Sequence, residues 1–194
     1  MPKGYRRIMS NNDLYFEYLN SISLKAKIYR KWVLYPRLSA ELIGKCLDVG
    51  CGLGAFITYR SNTIGVDINP MCVEFCRSQE QEVCEFNGSD LPFEESSFDS
   101  LILDNVLEHI SQPSALLNDF ARGLKPRGKL LIGVPGRKGY ASDPDHKIYY
   151  TRESLQLLLN EYGFDELNSF EMPFSGLSDK LKSHCVYSTF SLTR

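Results

Sequence analysis

The 194-residue chain has one tryptophan and three histidines. It has no apolar run near the roughly 18 residues that a membrane helix needs, so no membrane span is expected. Met1-Pro2-Lys3-Gly4-Tyr5 opens no signal-peptide core, and a cytoplasmic protein is expected. None of its six cysteines (46, 51, 72, 76, 84 and 185) pairs as C-x-x-C, and most lie inside apolar runs. Buried free thiols are therefore expected in place of disulfides or zinc, and no metal is expected. Internal repeats and low-complexity tracts are missing too. With 43% hydrophobic and 24% charged residues, the composition excludes a disordered or collagen-like chain, and the length suits one domain rather than a two-domain enzyme.

The net charge of −2 hides an asymmetry. Residues 1–45 carry nine Lys/Arg against three acids, which leaves the remainder at −8. The basic segment reads as two helices over 13–43, broken near Pro36, and carries Tyr29, Trp32 and Tyr35 among its cations. A basic aromatic helix can rest on a membrane surface or a phosphorylated lipid-linked substrate, or pack over a ligand site.

From Lys45 onward, short apolar runs alternate with helical patterns. Strands are expected at 45–50, 64–67, 83–86, 98–104 and 128–134. Asn69-Pro70 and Gln112-Pro113 open helices, and Thr151-Arg152-Glu153 caps a third with apolar face 155, 157, 158 and 159, ended by Gly163. Two strand-like runs, 164–172 and 185–192, follow as a hairpin. Strands alternating with helices predict a parallel sheet with helices on both faces. The expected organisation is a helical cap over 1–44 and an α/β domain over 45–194.

The strongest motif is Asp48-Val49-Gly50-Cys51-Gly52-Leu53-Gly54-Ala55-Phe56, placed between the first strand and a helix. Glycines allow positive φ and close approach of a ligand to the backbone. Nineteen residues beyond Asp48, Asp67 ends the second strand, where a carboxylate can accept both ribose hydroxyls. Gly50-x-Gly52-x-x-Ala55 formally fits a dinucleotide fingerprint. Three features favour S-adenosylmethionine (SAM): the Asp48 carboxylate is a poor neighbour for a pyrophosphate, Gly54 extends the motif to D-x-G-x-G-x-G, and no Tyr-x-x-x-Lys pair or second domain serves hydride transfer.

The motif, together with Gly65-Val66-Asp67-Ile68, Asp90-Leu91-Pro92-Phe93, Ser97-Phe98-Asp99, Asn105-Val106-Leu107-Glu108-His109 and 124–130, resembles the class I SAM-dependent methyltransferases over 46–135, especially small bacterial members acting on metabolites and sugars. The resemblance implies a seven-stranded sheet of order 3-2-1-4-5-7-6 with only strand 7 antiparallel. It implies that Gly50, Cys51, Gly52 and Gly54 contact the methionine and ribose parts of SAM, with Asp48 near the α-amino group and Asp67 on the ribose. Ile68 would pack on adenine, and Ser89, Asp90 and Leu91 would present backbone and carboxylate to its edge, with Asn87 as an alternative. Asp104 and Asn105 would border the sulfonium methyl.

An alcohol acceptor benefits from a general base, usually histidine near neutral pH. His146, in the loop before the last helix, is favoured; His109, after the fourth strand, is the alternative, and His184 is expected on the hairpin surface. Tyr149 or Tyr150 could stack on the acceptor. The expected acceptor is a hydroxyl on a small molecule, a sugar or a lipid-linked metabolite. Nucleic acid is not expected, because the catalytic half is acidic and 104–107 reads Asp-Asn-Val-Leu. A protein substrate and a non-catalytic SAM-binding scaffold stay open, and the sequence sets no oligomeric state.

Overall fold

Runs of four or five buried residues leave β1 (Cys46–Val49) and β2 (Thr63–Asp67) no solvent face, as in a sheet covered on both sides. The computed structural model describes residues 11–175 and 181–193. Three more strands extend this pair in parallel, β3 (Val83–Glu85) beside β2, β4 (Phe98–Asp104) beside β1 and β5 (Leu124–Pro135) beside β4, and β6 (Phe164–Met172) and β7 (Cys185–Leu192) close the sheet as an antiparallel hairpin. The order is β3-β2-β1-β4-β5-β7-β6, with β7 antiparallel to β5, as the resemblance implies.

Alternate strand residues feed two cores. Leu47, Val49, Leu101, Leu103, Leu130 and Ile132 face α6 (Ser114–Gly123) and α8 (Arg152–Glu161), which contribute Leu116, Leu117, Phe120, Leu155 and Leu159. Cys46, Ile102, Leu131 and Tyr187 face the other way, onto Leu34, Tyr35, Leu38 and Leu42. Leu157, expected on the buried face of α8, is 70% exposed, because the inward stripe is 155 and 159 at i, i+4 spacing.

The N-terminal helices break elsewhere than expected. α1 (Asn11–Asn20) ends before Ser23, whose side chain accepts from the Ala26 N–H and caps α2 (Leu24–Tyr29). The chain then continues through a π turn over Arg30–Leu34 into α3 (Tyr35–Glu41) without a break at Pro36. Pro36 has no N–H to donate and sits in the first turn of α3, and the Tyr35 N–H reaches back five residues to the Arg30 carbonyl. α3 packs on the sheet as part of the second core, whereas α1 lies beside α5 (Pro70–Ser78), with Phe16 edge-on to Phe75 at 5.9 Å. Residues 1–10 of the expected cap and 176–180 of the expected hairpin connection lie outside the described residues.

Among the described residues no helix is long and apolar enough to cross a membrane. The six cysteines are free thiols, five of them buried.

Candidate functional site

The carboxyl ends of β1, β2 and β4 bring three aspartates to one end of the sheet. The loop after β1 is pinned to β2 by Gly50 and Cys51 N–H groups that donate to the Val66 carbonyl at 2.8 and 3.1 Å. Gly50, Gly52 and Gly54 all have positive φ. At Gly50 (φ 74°) a Cβ would come within 2.5 Å of Val106 Cγ2, so both conformation and space require glycine. Gly54 starts the short helix α4 (Ala55–Tyr59).

Asp67 organises this loop. Its Oδ2 accepts the Gly52 N–H and its Oδ1 accepts the Asn69 N–H, both at 2.8 Å. Each oxygen keeps a lone pair for a further donor. Asn69 caps α5 through its side-chain oxygen and donates its Nδ2 to the Asn12 carbonyl, which ties α1 to the end of β2. A Cβ on Gly52 would lie 3.2 Å from Leu19, so α1 covers the glycine loop. Beneath the loop the Cys76 thiol reaches the Gly52 carbonyl at 3.3 Å, and Cys51 is itself buried.

Asp48 is 5% exposed, and its carboxyl is pushed up to about 8, first by burial and then by the charges of Asp104 and Asp67. Burial raises the Asp67 carboxyl as well. Asp104 is held differently: its Oδ2 receives Arg30 Nη2 at 2.7 Å, and its Oδ1 receives the Tyr187 hydroxyl at 2.7 Å and Asn105 Nδ2 at 2.9 Å. Asn105 itself has φ 59°, a strained backbone for a residue with a Cβ, at the sharp exit from β4. Three acids gathered around one loop favour a cationic ligand over a pyrophosphate.

The turn at 87–91 differs from the expectation in one respect. The Asn87 side-chain oxygen accepts the Ser89 and Asp90 N–H groups, and the Asp119 carboxylate accepts the Leu91 N–H. No backbone donor of residues 89–91 is left for an adenine edge, and Leu91 is buried in the main core. What the turn offers is the exposed Asp90 carboxylate, held by Asn87 Nδ2 at 2.9 Å. Ile68 is 63% exposed.

Just beyond Asn105, a 3-10 turn covers Leu107–His109. The Glu108 carbonyl accepts the Lys147 and Ile148 N–H groups at 2.7 and 3.1 Å, which fastens the 141–150 loop to the end of β4. His109 and His146, far apart in sequence, stand with ring centroids 4.7 Å apart. Burial and the neighbouring His146 hold His109 below the ordinary imidazole value, offset in part by a backbone hydrogen bond with Asp145. Tyr140 stacks on His146 and meets Tyr149 at 5.2 Å. Tyr150 turns into the main core, so of the two tyrosines expected as acceptor stackers only Tyr149 is available. His184, expected at the surface, is fully buried, with Nε2 3.4 Å from Glu171, because it lies at the start of β7 beneath α7 (Arg137–Tyr140). Glu108, which sequence reasoning passed over, is 1% exposed and faces both histidines. No spacing rule links 108 and 109 to 146; only the tertiary fold does.

Residues 47–132 match a family model described as a methyltransferase domain. The fold is that of the class I SAM-dependent methyltransferases. A SAM-dependent methyltransferase of Thermotoga maritima superposes with a TM-score of 0.70 at 18% identity, covering 92% of this chain and 98% of that one. The O-methyltransferase resE of Aspergillus sclerotiorum is 29% identical over 176 residues, 78% of this chain and 64% of its own length. An uncharacterised Methanocaldococcus jannaschii protein is 36% identical over 115 residues, 57% of this chain and 50% of its own. The chain thus spans about half to two thirds of the length of these curated relatives. The methyltransferase domain and fold imply SAM as the cofactor, and the acidic end of the sheet fits its cationic sulfonium and α-amino groups.

Proposed function

We propose that the chain is an enzyme that transfers the methyl group of SAM to a hydroxyl of a small-molecule acceptor, a sugar or lipid-linked metabolite, in the cytoplasm. The observation that carries this reading is that two sets of groups meet around the end of β4: Asp48, Asp67, Asp104 and the glycine loop, and Glu108, His109 and His146, with Asp104 close enough for its charge to act on both Asp48 and Glu108. Gly50, Cys51, Gly52, Gly54 and Asp48 would hold the methionine end of SAM, Asp67 the ribose, and Ile68 with the Asp90 carboxylate the adenine. Asp104 and Asn105 would border the reacting methyl. SAM supplies an electrophilic methyl on a sulfonium.

The chain's own contribution is position and proton management. The loop carrying His146 and Tyr149 would close over the acceptor, and His146, or His109 beside it, would remove the hydroxyl proton. His146 is favoured because its Nδ1 is engaged by the Tyr140 carbonyl at 2.9 Å, which leaves Nε2 as the proton acceptor. Nucleic acid is not the proposed acceptor, since residues 46–194 carry a net charge of −8 and repel a phosphate backbone. Five buried free thiols suit a reducing compartment.

The test is incubation with methyl-labelled SAM and a metabolite extract, followed by identification of the labelled product by mass. A labelled hydroxyl compound supports the reading. SAM binding with no label in any small-molecule or protein pool identifies a scaffold, and label in protein identifies a protein methyltransferase.

A further inference from the structure

Among the described residues neither oxygen of the Glu108 carboxylate has a hydrogen-bond partner, although the residue is 1% exposed. A buried carboxylate without a donor is costly, so such a group either holds its proton or draws positive charge to it. The neighbouring imidazole does not make that bond: His146 Nε2 lies 3.8 Å from Glu108 Oε1, beyond hydrogen-bond length. The His146 ring is nevertheless fixed. Its Nδ1 is 2.9 Å from the Tyr140 carbonyl, which can only accept, so Nδ1 carries the hydrogen and the Nε2 lone pair points toward the carboxylate. Stacking on Tyr140 at an interplanar angle of 17° holds the ring plane. A histidine whose second nitrogen is anchored on a backbone carbonyl is oriented as metal-bound histidines are.

His109 completes the set. One nitrogen from each histidine and one Glu108 oxygen lie within 4.8 Å of one another. Ligands around zinc, at bonds of about 2.0–2.2 Å in a tetrahedron, stand about 3.3 Å apart, so small side-chain rotations bring these three into range. Asp143 Oδ2, 3.9 Å from His146 Nε2 and half exposed, adds a second carboxylate at the rim.

We propose that Glu108, His109 and His146 form a binding site for a divalent cation of the zinc class. Two imidazoles and a carboxylate suit zinc and its first-row neighbours, whereas magnesium and calcium require shells of oxygen. Three protein ligands leave a coordination position open. An acceptor oxygen is its natural occupant; that clause rests on the methyl-transfer reading, while the binding itself does not. With a cation bound, both histidines are ligands and neither is free as a base.

The experiment uses the full chain after chelator treatment, titrated with Co2+ and then Zn2+, with SAM calorimetry on the same samples. One equivalent of Co2+ with visible d–d bands, no thiolate charge-transfer band, and displacement by Zn2+ but not Mg2+ is expected. Glu108→Gln, His109→Ala and His146→Ala should each weaken Zn2+ binding tenfold or more. Unchanged SAM affinity shows that each variant is folded, and if one does not fold the other two carry the test. Failure to bind Co2+ or Zn2+, a thiolate band that places the metal on cysteines, or unchanged affinity in the folded variants overturns the site. Zinc binding as expected with no SAM binding leaves the site standing and removes the methyl-transfer reading; SAM binding with no zinc does the reverse.

Discussion

Arg30, at the start of the π turn, donates to the Asp104 carboxylate at the end of β4 across 2.7 Å, so the N-terminal helices are latched to the point where the reacting methyl would lie. The charge of Asp104 is the main reason the guanidinium is held above its ordinary value, against the opposing effect of burial. Removing Arg30 leaves Asp104 facing Asp48 without a counter-charge. Arg30→Ala should therefore lower stability by about 1–2 kcal/mol, between the values for exposed and buried pairs, in urea titrations. Pairing it with Tyr187→Phe in a double-mutant cycle should give a non-additive sum, since both residues bind one carboxylate. Additive losses would show that the latch is not a unit.

With Asp48 at the proposed site, SAM binding should be proton-linked. The folded value of Asp48, about 8, lies above the ordinary value for an aspartate of about 4. Its contribution to stability is thus fully present below about pH 4 and is lost as pH rises through about 8. Asp48→Asn should gain on the wild type in melting temperature as pH is raised from 5 to 8.5. A cationic ligand favours the ionised form, so SAM should release a proton on binding at pH 7. Calorimetry in buffers of different ionisation enthalpy reads this directly, and buffer-independent heats would refute it.

Asp67 serves the loop, because it accepts the Gly52 and Asn69 N–H groups, and in the proposed site it would serve the ligand too. Asp67→Ala should weaken SAM by about 1–3 kcal/mol and lower the melting temperature of the ligand-free protein too. NAD should bind far more weakly than SAM to the wild type. Tighter NAD binding would end the methyltransferase reading.

His146→Ala and His109→Ala should each cut turnover by about 10²- to 10⁴-fold with SAM affinity nearly unchanged, the range for losing a proton-handling group. Near wild-type turnover in both would leave positioning alone to carry the chemistry.

The proposed N-terminal cover predicts that deleting residues 1–23 leaves a folded sheet, because α3 and its core residues remain. The truncated chain should bind SAM more weakly, having lost Leu19 over Gly52 and the Asn12–Asn69 bond. Unaltered SAM affinity would show that α1 is not a cover.

The sheet was legible because its central strands β1, β2 and β4 are nearly continuous buried runs separated by turn residues, and because Asp48, the glycines and Asp67 stand at fixed distances along the chain. Pro36 misleads, since a proline normally ends a helix and the π turn that absorbs it leaves no mark in the residue types. His184 misleads because burial of a histidine depends on what packs above it, here the 136–140 segment, whose backbone takes the His184 carbonyl as an acceptor for Gly136 N–H. Glu108 was invisible for the same reason: its neighbours His109 and His146 meet only once the 141–150 loop is fastened to its carbonyl.

The π turn over Arg30–Leu34 carries one residue more than an α-helical turn, in effect an insertion absorbed without a bulge in the chain's path. Each α-helical residue advances the direction of its side chain by about 100° around the axis, and a residue in a π turn advances it less. The five residues of the turn therefore wind about as far as four α-helical ones, and the segments before and after keep their phase. Deleting Val33, which is half exposed, would restore an ordinary helical turn and leave Arg30 aimed at Asp104. Deleting Lys27 from α2, where nothing absorbs the loss, would instead turn α1 by about 100° and swing it off the glycine loop. The turn is a slot that can lose one residue without re-aiming the leading segment, so a natural one-residue gap at 30–34 should travel with an unchanged Asp104.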